Sequence, residues 1–170
     1  RLGDLQTQMN IDKATLGFAL IGLPLGVQLT LLFADRIVRK FNFRLILTIG
    51  IPLLSISQCF AALMQGPFLF AGILIVGGAS IAVIEVAVNL EADRIEASIG
   101  KRIMNRSHAY WSFGFFGAGI IGAGFSQFGI SPFIHFVAIT FFISIITNLL
   151  FLDYIAAKPR RQSLPPQKKV

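Results

Sequence analysis

Apolar residues in this chain come in long uninterrupted blocks, not at the period of two or 3.6 that marks a half-buried strand or surface helix. Ala14 to Ala34 runs 21 residues without a charge, and Phe68 to Leu90 runs 23 residues with a single carboxylate. Leu45 to Met64, Ala109 to Phe128 and Phe133 to Leu152 are apolar blocks of similar length. At 1.5 Å rise per residue, about 20 residues cross the ~30 Å hydrocarbon core of a bilayer. The pattern predicts an all-α membrane protein with five transmembrane helices, at 14–34, 45–64, 68–90, 109–128 and 133–152. Residues 1–13 read as a polar lead-in, with Asp12 placed to cap the first span. Residues 35–44 and 91–108 read as charged loops, while Gln65-Gly66-Pro67 and Gly129 to Pro132 read as tight turns. Pro24 should bend the first span. The glycines at 114, 117, 119, 122 and 124 predict a helix buried closely against its neighbours. The bundle is expected to occupy residues 1–157, and 158–170, rich in proline and basic residues, to be a polar linker.

Composition agrees. Hydrophobic residues make up 55% of the chain and charged residues 14%, against about a quarter charged in soluble domains, and the mean hydropathy is +0.74. A net charge of +7 raises the question of nucleic acid, which the positions of the basic residues answer. The alternate segments 35–44, 91–108 and 156–170 hold thirteen lysines and arginines, and the opposite side holds only Arg1 and Lys13. The positive-inside rule makes the basic side cytoplasmic, so the charge is accounted for by orientation and no nucleic-acid partner is needed. Tyr110, Trp111 and Tyr154 fall at the same ends, where an aromatic belt would place them. The single Cys59 excludes a disulfide within the chain. A chain that opens outside on Arg1 and crosses five times implies one more span upstream: a six-helix half of a transporter lacking its first helix, followed by a cytoplasmic linker. An echo between Thr15-Leu16-Gly17-Phe18 and Ser112-Phe113-Gly114-Phe115 fits an inverted internal repeat.

The chemistry concentrates at Glu85. An ionised acid at the centre of a spanning helix lies about 2.5–3.5 kcal/mol uphill, so Glu85 is expected to face protein or a water-filled cavity. Asn89, Gly78 and Ala82 lie on the same side by helical spacing. That face reads either as the lining of a polar pathway or as structural glue between helices. His108, at the cytoplasmic end of its span, is a second-tier candidate beside the plainer reading of an interfacial histidine. No metal-spaced cluster or nucleophile–base pair supports a membrane enzyme, and no cofactor is called for.

Three stretches resemble the major facilitator superfamily, in a bacterial branch near the fucose permease-like members. Glu85-Val86-Ala87-Val88-Asn89, followed by Glu96, is similar to a signature of the family's fourth helix. Gly100-Lys101-Arg102-Ile103-Met104 with His108-Ala109-Tyr110-Trp111-Ser112-Phe113-Gly114 resembles the entry into its fifth. The third stretch departs from the pattern: the loop G-x-x-x-D-R-x-G-R-R would put its glycine at Asp35 and its acid at Arg39. Asp35, Arg36, Arg39, Lys40 and Arg44 nevertheless occupy that cytoplasmic gating loop, and Asp35 and Arg39, four apart, can pair. The resemblance implies a secondary transporter of the inner membrane, working by alternating access on a small polar solute. Glu85, Asn89 and His108 would then bind substrate or a coupling proton, and the bilayer and a second half-bundle would be partners. The alternative is a non-transporting scaffold or receptor on the same helices.

Overall fold

The computed structural model of the chain describes residues 1–158, of which 83% are helical, with no strand among them. The seven helices are α1 (Leu2–Met9), α2 (Lys13–Leu20), α3 (Gly22–Lys40), α4 (Phe43–Ala61), α5 (Pro67–Ile99), α6 (Met104–Gln127) and α7 (Pro132–Phe151). Almost all of the predicted linker, 159–170, lies outside the described residues. Four stretches are long and apolar enough to cross a membrane: Lys13–Lys40, which joins α2 and α3, then α4, α5 and α7. The remaining predicted span, 109–128, is present as α6 and at 24 residues is long enough, but its five glycines and polar ends dilute its apolar character. The chain is a polytopic α-helical membrane protein.

The helix ends follow local chemistry. Asp12 accepts a hydrogen bond from the Thr15 N–H at 2.7 Å, which starts α2 as expected and holds its carboxyl below the usual range. Pro24 has no N–H for the Leu20 carbonyl, and the helix breaks at Ile21, whose N–H bonds back to Phe18 at 3.2 Å. Asn42 caps α4 through the Leu45 N–H at 2.7 Å, and Ser131 caps α7 through Ile134 at 3.3 Å. Pro67 and Pro132 open α5 and α7, where a missing N–H does no harm.

Three boundaries differ from the sequence reading. Residues 2–9 form α1, an amphipathic helix that ends at Asn10 in the left-handed conformation (φ 51°). It buries Leu5 and Met9 in a core with Leu16, Ala19, Ala61, Ala62, Phe70 and Leu74, while Gln8 donates to the Ala62 carbonyl at 2.8 Å. The charged segment 35–44 is mostly helix, with only Phe41 and Asn42 between α3 and α4. Most consequentially, α5 continues to Ile99, so it has 33 residues and is about 50 Å long, well beyond a bilayer core. Charge does not terminate a helix; Gly100, at φ 66°, does.

Helix α5 is the centre of the bundle, packed chiefly on α3 and then α4, while α4 also packs on α7. Contacts advance together in sequence, Gly22 against Ala71 and Gly26 against Ile75, so α3 and α5 run parallel. Gly22, Gly26 and Gly78 let the two backbones touch: a Cβ on Gly26 would meet the Ile75 carbonyl, and one on Gly78 the Leu23 carbonyl. The small face of α5 expected from Gly78 and Ala82 is thus an actual packing face, with Ala82 0% exposed. The buried glycine face expected on α6 is not found. No residue of α6 is buried, and Cβ atoms on Gly114, Gly117, Gly119 and Gly124 would meet nothing within 4 Å. Glycine lowers the barrier to close approach but does not itself attract a neighbour.

Candidate functional site

Glu85 sits on α5 about two turns beyond Gly78 of the α3 seam. Its neighbours along the helix, Ala82 and Ala87, are buried at 0% and 2% exposure, but Glu85 itself is exposed and has no hydrogen-bond partner among the described residues. Asn89, one turn on, is half-buried. Thus α3 and α4 cover the small positions around these two polar residues and leave the carboxylate facing outward from residues 1–158. His108, in the second turn of α6, is also exposed; its carbonyl accepts from the Ser112 hydroxyl at 3.1 Å, and no bond joins its side chain to Glu85 or Asn89.

The five gating-loop candidates lie where α3 ends and α4 begins. Arg39 Nε reaches both carboxylate oxygens of Asp35, at 3.0 and 2.9 Å, so the expected pair forms within the last turns of α3. Both side chains are about three-quarters exposed, and such a pair contributes little, about 0–1 kcal/mol. Arg36 lies 6.0 Å from the Phe33 ring centroid and Lys40 5.6 Å from that of Phe41. The carbonyl of Arg44 accepts from Thr48 at 2.9 Å.

The structure builds its most enclosed acid at a residue the sequence reading placed in a loop. Glu91 is 2% exposed. Its Oε1 accepts from the Tyr154 hydroxyl at 2.9 Å and from the Ala157 N–H, and its Oε2 faces Arg94 Nη1 at 3.4 Å. The available signal was spacing: Glu91 follows buried Ala87 by four residues and so falls on the same buried stripe. Glu96 also has a structural role. It accepts from the N–H groups of Ile103 and Met104 at 2.6 and 2.8 Å, capping α6 where Ile103 offers no side-chain acceptor. That bond physically joins two of the stretches that carried the family resemblance. A cavity of about 310 Å³ beside it is lined by Asp93, Glu96, Lys101 and Arg102 and does not include Glu85.

At the opposite end, His135 lies between the rings of Phe125 and Phe136, with centroids 4.5 and 5.3 Å away. Arg1 pairs with Asp4 there and donates to the Ile130 carbonyl, so α1 is tied to both neighbouring turns. No group of three or more metal-ligating side chains occurs among the described residues.

Comparison with known proteins agrees with the class of fold. No family model matches the chain, and no solved structure does. Over 115 residues, 67% of this chain, it is 27% identical to a Yersinia pestis protein named an uncharacterized MFS-type transporter. The chain covers 30% of that relative's length.

Proposed function

We propose that this chain is part of a major facilitator superfamily transporter that moves a small polar solute across the cell inner membrane by alternating access, with Glu85 coupling a proton. The observation that carries the reading is an exposed carboxylate within 68–90, the otherwise uncharged part of α5. An acid turned to lipid at mid-helix is unfavourable by about 2.5–3.5 kcal/mol, so this face belongs to a polar cavity that other parts of the transporter complete. The likeness to an MFS-type transporter points the same way. A carboxylate in such a cavity can take up a proton from one side and release it to the other as access alternates. Asn89, next to Glu85 on the helix, supplies a neutral donor and acceptor for substrate, and His108 stands as a further titratable group at the cytoplasmic mouth. Asp35, Arg36, Arg39, Lys40 and Arg44 form the cytoplasmic gating region, and a second half-bundle closes the pathway.

The test is uptake into proteoliposomes by the full-length protein under an imposed pH gradient. Glu85→Gln mimics the protonated acid, so proton-driven accumulation should be abolished while exchange of bound substrate persists. Glu85→Asp should keep part of the accumulation. Undiminished accumulation in Glu85→Gln would reject coupling and leave Glu85 a packing residue of a transporter or scaffold.

A further inference from the structure

The group that this transport mechanism does not use is Glu91. It is buried among donors only: the Tyr154 hydroxyl, the Ala157 N–H and the Arg94 guanidinium. The surroundings are built, not incidental. Tyr154 packs tilted against Phe43 of α4 at 5.3 Å and edge-on against Phe151 of α7 at 5.5 Å, and those two rings meet edge-on at 5.9 Å. One carboxylate therefore stands where the start of α4, the extension of α5, the end of α7 and the segment leaving α7 converge. Because α7 ends at Phe151, residues 152–157 have no helical ladder to fix them, and Glu91 supplies two of their anchoring bonds.

We propose that Glu91 is a positioning residue that clamps the segment leaving α7, Tyr154 to Ala157, onto the far end of α5, so that the helix bearing Glu85 and this segment move as one body. The clamp itself follows from the geometry alone; its value for alternating access rests on the transport reading above. In that reading, displacement of α5 is handed directly to the end of α7, by a route that bypasses the sparsely packed α6. The negative charge strengthens both bonds to Oε1 and pairs with Arg94. A glutamine at position 91 would keep a neutral acceptor for Tyr154 and Ala157 but lose that charge and turn an NH₂ group toward Arg94, and an aspartate would fall one methylene short.

Tyr154 reports on the clamp. Burial, and then the bond and charge of Glu91, push its hydroxyl from 10.0 up to about 12. The part of the fold's stability that this shift represents is complete below pH 10 and is lost as pH rises through about 12. In the full-length protein in nanodiscs, the difference between ultraviolet titrations with and without Tyr154→Phe isolates the Tyr154 signal. At about pH 11 Tyr154 should be more ionised in Glu91→Gln than with Glu91 present, while burial, the larger cause, keeps part of the rise in both. Amide exchange in the peptide spanning 152–158 should quicken at the Ala157 N–H by roughly tenfold or more, as the loss of a charge-assisted bond implies. Equal exchange in both proteins, or a Tyr154 that titrates at its ordinary value with Glu91 in place, would overturn the clamp. If Glu91→Gln fails to fold, Tyr154→Phe serves: faster exchange of the 152–158 peptide supports the clamp, and unchanged exchange rejects it. Neither measurement needs substrate, so failure of the transport reading and failure of the clamp are separately visible.

Discussion

Replacing Gly26 by alanine adds one methyl group, and the α3–α5 contact makes its effect calculable. An ideal Cβ at Gly26 falls against the Ile75 carbonyl group, 2.8 Å from its carbon and 2.9 Å from the Ile75 Cα. The obstacle is backbone, which no rotamer change can move. Ordinary contact begins at 3.4 Å, so the helices must separate by half an ångström or more. A gap of 0.5–1 Å forfeits roughly a quarter to a half of the dispersion energy of each atom pair along the seam, and overpacking of this kind costs about 1–3 kcal/mol in well-packed interiors. Working against this is the gain from replacing a helical glycine by alanine, about 0.8–1 kcal/mol. Matched controls isolate the clash. Gly17 and Gly114 also lie in helices, yet a Cβ on either meets nothing within 4 Å. In thermal unfolding of the detergent-solubilised full-length protein, Gly17→Ala and Gly114→Ala should be neutral or slightly stabilising, while Gly26→Ala should lower the transition and Gly78→Ala should do the same. A Gly26→Ala protein as stable as Gly114→Ala would refute the claim that backbone contact at this seam holds α3 to α5.

Orientation is tested by single cysteines in the full-length protein freed of its native cysteines, Cys59 among them: tags at Asn42 and Asn105 should react only from the cytoplasmic side and one at Gln6 only from outside, and labelling of Asn105 from outside would reverse the topology. Glu96→Ala removes the acceptor of two N–H groups at the start of α6 and should loosen that helix end, seen as faster amide exchange over 103–107; unchanged exchange there would dismiss the cap.

The spanning segments were legible because hydrocarbon imposes a length and a composition on any helix that crosses it, and 14–34, 45–64, 68–90 and 133–152 satisfy both. Helix caps were legible where one side chain decides them, as at Asp12. What the blocks of apolar residues hid was helix continuing into water: Glu91 to Ile99 carries charge, so it read as a loop, yet nothing in it breaks a helix before Gly100. For the same reason the Arg39–Asp35 pair, expected in a loop, closes the end of α3. Glu91 was missed for a related reason. A carboxylate at a membrane edge reads as solvated, and only the positions of Tyr154 and Ala157, more than sixty residues away, show it to be enclosed.

The two glycine-rich helices separate what composition can state from what packing decides. Gly22 and Gly26 on α3 and the five glycines of α6 offer a neighbour the same thing, a groove without side chains. On α3 the groove is filled because α5 presents small residues of its own at matching height, Ala71 against Gly22 and Gly78 against the Leu23 carbonyl. Helix α6 meets α5 and α7 only at isolated points, one of them His135 Cε1, 3.8 Å from a Cβ on Gly122, and keeps Phe113, Phe115 and Phe116 exposed. A glycine pattern therefore specifies a contact only jointly with the surface that fills it. The same holds for Glu85: its helix position is set by the sequence, and whether it meets water, substrate or a partner helix depends on what covers the face that α3 and α4 leave open.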